Sequence, residues 1–290
     1  MKKQTLFSKM KKNYVGYVFI SPWLIGFLVF TLYPLLHSIF LSFQKVKFSP
    51  TGIQTESIGM ENYSKIITGD IDFTQHLLEF VKQLVISVPV VIVFALIIAL
   101  LLNQKIRFKG FFRTIFFLPV IISSGPVMKE LSDQGFTAIP NIENYAFYQI
   151  LLDNSDNFFV GIITYLITNV ISILWFSGVQ ILIFIAALQK LDKQVYEASM
   201  IDGASTWEQF WLITLPSLKP MILVNTIYTI VTISVFSSNP VIEHISKQMF
   251  KINTGFGYSS ALSWLYFIVI AVIILLAVGI LSYKGKRKYG

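Results

Sequence analysis

Glu197 to Pro216, EASMIDGASTWEQFWLITLP, is a polar, amphipathic stretch set between two long apolar ones. Lys193 to Ile201 read as a short helix. Gly203 supplies a backbone able to take positive φ, so the chain can turn sharply there. Thr206 is placed to cap a second helix, and Gln209 three residues later completes a capping box. Phe210, Trp211, Ile213 and Leu215 give that helix an apolar side, while Pro216 is placed to open the apolar helix that follows. The expected product is a helix–turn–helix knob lying at a membrane surface.

The flanks support a membrane setting. The chain is 54% hydrophobic, with mean hydropathy +0.68 and 13% charged residues, against roughly a quarter charged in soluble domains. Apolar runs long enough to cross about 30 Å of hydrocarbon are expected near residues 14–43, 84–102, 111–128, 158–188, 218–239 and 261–282. The basic start (Lys2, Lys3, Lys9, Lys11, Lys12) leads into a first run too long for a signal peptide, with no small-x-small cleavage site after it. It reads as a retained first membrane helix. No internal repeat or domain boundary is evident, so residues 1–290 read as one membrane domain. The fold class is an all-α polytopic membrane protein of six helices, with a surface helix between the fourth and fifth.

Six helices put both termini on one side. That side carries 5 Lys and Arg in the N-terminus, 4 in Lys105–Arg113, 3 in Lys190–Lys219 and 4 in the tail after Ser282; the remaining 7 of 23 lie opposite. Basic loops stay in the cytoplasm, so the termini and the 190–217 loop are expected to face it. The net charge of +8 is thereby explained by topology and lipid contact, with no need of nucleic acid.

The quoted stretch resembles the EAA loop of binding-protein-dependent ABC importer permeases: Glu197-Ala198-Ser199, then Asp202-Gly203-Ala204, Phe210, Ile213 and Leu215-Pro216. Ser199 replaces the third small residue of that pattern and keeps the side chain small. Tyr17–Leu24, Tyr33-Pro34, Gly110–Pro119 and Gly257–Trp264 resemble other parts of sugar-type permeases, so the likeness covers nearly the whole chain. Residues 131–157 fit least well. The resemblance implies an oligosaccharide importer subunit with the MetI-like transmembrane fold in a bacterial plasma membrane. It implies a second homologous permease, two ATPase subunits and an extracytoplasmic solute-binding protein as partners. Glu197, Ala198, Ser199, Asp202, Gly203, Ala204, Phe210 and Pro216 would then form the ATPase-coupling surface. An importer of a non-sugar solute is the alternative, followed by a secondary transporter.

Chemistry within the chain is sparse. No G-x-x-x-x-G-K-[ST] phosphate loop occurs, so ATP and magnesium are expected on the partner ATPase alone. Cysteine is absent, which removes disulfides and thiolate chemistry. His37, His76 and His244 are scattered without metal-ligand spacing. No catalytic or metal residues are therefore assigned. Two polar stripes remain. The fourth helix carries Tyr165, Thr168, Asn169, Ser172, Phe176 and Gln180, which at about 100° per residue project within roughly 60° of one direction. The fifth carries Asn225, Tyr228, Thr229, Thr232, Phe236 and Asn239. Such groups either bond helix to helix or line a solute path. Amides, hydroxyls and rings would suit a sugar, and the lack of acidic residues within the spans argues against a cation pathway.

Overall fold

The computed structural model describes residues 14–49, 52–104, 145–153, 157–236, 239–251 and 254–282, with scattered residues between 110 and 134. The expected third span, 111–128, its prolines 119 and 126, the basic N-terminus and the basic tail lie mostly or wholly outside them. Among the described residues, five helices are long and apolar enough to cross a membrane: Tyr14–Ser42, Ile71–Asn103, Val170–Leu188, Thr206–Ser234 and Gly255–Ser282.

The chain forms two compact units. The first comprises Met1–Ile71 with Ile245–Leu265, the second Asp72–His244 with Tyr266–Gly290. In the first, helix α1 (Tyr14–Phe27) passes through a π-helical turn, Leu28–Leu32, into α2 (Tyr33–Ser42). The widened turn has a local cause. A proline ring clashes with the carbonyl four residues back, and for Pro34 that residue is Phe30, inside the turn.

A polar stretch follows α2. It folds as an antiparallel hairpin of β1 (Gln44–Ser49) and β2 (Gly52–Ser57), with Val46 paired to Thr55. This strand pair is a local exception to an otherwise helical fold. The side chain of Asn62, buried in helix α3 (Glu61–Gly69), donates to the carbonyls of Ser42 and Gln44 at 2.9 and 3.1 Å. It thus pairs backbone acceptors that the helix-to-strand junction would leave free.

Helix α4 (Ile71–Asn103) begins thirteen residues before the expected start of its apolar run. Leu84, Val88, Val91, Ala95, Ala99 and Leu102 are buried along it at helical spacing. Small residues in that stripe permit close helix approach. After α5 (Ala146–Asp153), the fourth span is broken at Asn169 into α6 (Phe158–Thr168) and α7 (Val170–Leu188). Helix α8 (Lys193–Ile201) follows, then α9 (Thr206–Gln209), a π turn Phe210–Thr214, and α10 (Leu215–Ser234). The fifth span thus ends at Ser234, short of the expected residue 239. Helices α11 (Pro240–Met249) and α12 (Gly255–Ser282) complete the chain.

Candidate functional site: the 190–217 loop and the polar stripes

Helix α8 spans the residues expected of it. Asp192 caps it, its carboxylate accepting from the Gln194 N–H at 2.9 Å. At the other end Gly203 has φ of 83°. The Ala204 N–H bonds the Ser199 carbonyl at 2.9 Å, and the Gly203 N–H bonds that of Met200 at 3.1 Å. This is a Schellman termination, which needs a left-handed residue where Gly203 stands.

The second cap differs from expectation by one residue. Ser205, rather than Thr206, is the N-cap, and Glu208, rather than Gln209, closes the box. The Glu208 carboxylate accepts from both the N–H and the hydroxyl of Ser205 at 2.7 Å. Gln209 is thereby left free to reach the first arm of the loop, where its Nε2 donates to Ser199 Oγ at 3.0 Å. Tyr196 and Thr214 hydroxyls meet at 2.8 Å. These two bonds tie the arms of the loop together, and the Ser199 hydroxyl is part of the tie.

Pro216 stands in the first turn of α10, as expected. The rod runs unbroken from Thr206 to Ser234, and the π turn accommodates the proline because its i−4 carbonyl, that of Leu212, lies within it. Glu197, Ala198, Asp202 and Gly203 are exposed, as is Pro216; Ala204 and Phe210 are half-buried. Phe210 and Trp207 pack against Trp211, with ring centroids 5.1 and 5.5 Å from it. Ile201 is 87% exposed and Leu212 75%. The knob therefore presents the carboxylates of Glu197 and Asp202, besides those of the caps Asp192 and Glu208, and several apolar side chains on a backbone pinned at both ends.

The polar stripes divide by environment. Gln180, Asn225 and Thr229 are buried where α7 packs along α10. Gln180 Nε2 donates to Thr229 Oγ1 at 2.8 Å, and Thr229 Oγ1 to the Asn225 carbonyl at 2.7 Å. Phe176 on α7 and Phe236, two residues beyond the end of α10, meet edge to face at 4.9 Å. The Tyr165 hydroxyl bonds Ser87 on α4, and that of Thr168 meets Tyr148 on α5 at 3.1 Å. Among the described residues, the side-chain amide of Asn169 bonds only the Tyr165 carbonyl on α6, at 2.9 Å. Ser172 and Thr232 are half-buried, and Tyr228 is exposed.

Asn239 joins three elements. Its Nδ2 donates to the Ser234 carbonyl at 3.1 Å and to the Tyr266 hydroxyl at 2.8 Å, while its Oδ1 accepts from the Val241 N–H at 2.9 Å. Asn239→Ala is expected to lower unfolding stability by about 1–3 kcal/mol, since the buried Val241 N–H loses its partner. Asn169→Ala should leave stability near wild type. Thermal unfolding of both variants in detergent checks the contrast.

Residues 71–285 match the family described as binding-protein-dependent transport system inner membrane component. The probable ABC transporter permease protein YesP of Bacillus subtilis is 31% identical over 94% of this chain and 92% of its own. The lactose transport system permease protein LacF of Rhizobium radiobacter is 29% identical over 95% of each. The arabinooligosaccharides transport system permease protein AraP of Halalkalibacterium halodurans is 35% identical over 78% of this chain and 70% of its own. In fold, the chain is similar to one from the crystal structure of a bacterial ABC transporter involved in the import of the acidic polysaccharide alginate. The TM-score is 0.60 at 20% identity, covering 96% of this chain and 99% of the other. With three quarters of its length matched, the chain belongs to the inner-membrane permease components of binding-protein-dependent ABC transporters.

Proposed function

We propose that this permease imports a carbohydrate, most readily an oligosaccharide, by alternating access driven from the 197–216 loop by a separate ATPase. The observation that carries the mechanical part is the loop itself. Its turn is fixed by Gly203, its arms are tied by Ser199–Gln209 and Tyr196–Thr214, and its exposed face includes Glu197, Ala198 and Asp202. The lactose and arabinooligosaccharide named for its relatives favour a sugar.

As a permease of a binding-protein-dependent system, the chain spans the inner membrane and works with an ATPase and a substrate-binding component. The finer assembly is one homologous permease, two ATPase subunits and one extracytoplasmic binding protein. Among the described residues, none in the apolar window of Tyr14–Ser42 is buried, which leaves that window for lipid or for the second permease. Residues 111–128 supply the sixth helix, residues 1–290 act as one membrane domain, and both termini face the cytoplasm. Mg-ATP is used on the ATPase, and this subunit holds no catalytic centre or cofactor. ATP closes the ATPase dimer, the loops follow it, and the bundle switches between inward- and outward-facing states of different stability. The stripe residues Tyr165, Asn169, Ser172, Tyr228 and Thr232, less enclosed than Gln180 and Asn225, are the candidates for the solute path.

Proteoliposomes holding the importer with its ATPase and binding protein test the reading. ATP-dependent uptake of labelled lactose or an arabinooligosaccharide is expected, and none without the ATPase. The absence of native cysteine allows a second check. Val195→Cys in α8 should resist a membrane-impermeant maleimide in intact cells and react in inverted vesicles. Uptake without the ATPase, or labelling from outside, overturns the proposal.

A further inference from the structure

The Gln180–Asn225–Thr229 cluster is an expensive way to join two apolar helices. Gln180 and Asn225 are fully buried, yet Gln180 Oε1 and Asn225 Oδ1 find no hydrogen-bond partner among the described residues. The bond from Asn225 Nδ2 to the Gln180 carbonyl is long, at 3.4 Å. Two leucines would fill this place without orphaned acceptors, so stability alone does not account for the amides. What amides supply and leucines do not is register: a buried polar pair is satisfied at one axial offset of the helices, whereas an aliphatic seam tolerates several.

Position in the chain gives that register a use. Helix α7 runs directly into the loop and α10 runs directly out of it, so the clasp bridges the two arms of one hairpin. At the hairpin's base the arms are tied again by Tyr196–Thr214 and Ser199–Gln209. We infer that Gln180, Asn225 and Thr229 are positioning residues that lock α7 to α10 in one register, so that force applied at the loop moves both helices as a single lever. This rests on the proposed function, because a lever requires an ATPase pulling on it.

The test uses the assembled importer with spin labels at Leu174→Cys on α7 and Val224→Cys on α10, both exposed positions. In the otherwise native chain one inter-label distance is expected, unchanged between the nucleotide-free and ATP–vanadate states. With Gln180→Leu and Asn225→Leu added, a second population is expected under ATP–vanadate, displaced by as much as one helical turn, about 5.4 Å. The thermal midpoint should not fall. Thr229→Ser, which keeps the hydroxyl, should behave as the parent, and Thr229→Val as the leucine variant. A single unchanged distance in the leucine variant overturns the inference, as does slippage in the parent or a lowered midpoint with unchanged register. Failure of the parent to retain its ATPase on purification is a separate result, and it removes the proposed function together with this lever.

Discussion

Gly257→Ala should destabilise the protein by about 3 kcal/mol, the upper end of the usual cost of overpacking. A Cβ at Gly257 would lie 2.0 Å from the Gln44 carbonyl oxygen and 3.1 Å from that of Leu41. Both obstacles are backbone, so no side chain can swing aside. Leu41 is the last residue but one of α2, Gln44 the first of β1, and Asn62 holds both flanks of that junction. Relief therefore requires the whole hairpin to shift. An alanine ordinarily favours a helix by up to about 1 kcal/mol over glycine, which makes the expected loss a demanding prediction. Gly279→Ala on the same helix meets nothing within 4 Å among the described residues and should be neutral or mildly stabilising. Thermal unfolding and limited proteolysis of the pair in detergent decide the matter; equal stability would refute the packing argument.

Gly203→Val should reduce ATP-driven uptake about tenfold or more while leaving the amount of inserted protein unchanged. Space is not the obstacle, since none of the described residues lies within 4 Å of a Cβ there. The cost comes from φ of 83°, which a β-branched residue scarcely adopts. A left-handed conformation costs an ordinary residue roughly 1–2 kcal/mol. At 1.4 kcal/mol per factor of ten, that alone depletes the correctly turned loop several-fold to about thirtyfold. Uptake together with copurification of the ATPase measures the effect. Normal values for both would refute the coupling role given to this turn.

The sequence exposed the loop more fully than the rest. Asp192, Gly203 and the periodic residues between them act locally, so Lys193–Ile201 could be delimited without knowing any tertiary contact. The second cap was ambiguous because Ser205 and Thr206 are adjacent hydroxyls, each with an acceptor three residues on. Glu208 prevails, its carboxylate holding both the N–H and the hydroxyl of Ser205, while Gln209 is drawn to Ser199. The hairpin escaped notice because hydropathy marks membrane crossings, not short half-exposed strands. Its signal was nonetheless present in Pro50 and Gly52 between Val46, Phe48 and Ile53. The polar first part of α4 escaped for the same reason, since an apolar run ends at the membrane surface and a helix need not. The polar stripes were visible by period, but period cannot distinguish a lining from a clasp. Only burial separated Gln180 and Asn225 from Tyr228.

The π turn at Phe210–Thr214 acts as one residue spliced into an otherwise regular rod. A residue on one side of such a splice is rotated by about 100° from the bearing that an unspliced rod would give it. Trp207 and Trp211 therefore owe their heading to this spare residue, whereas Asn225 and Thr229 take theirs from the bundle. A one-residue insertion or deletion there could re-aim the knob toward a different motor while the membrane half of the rod stays in place.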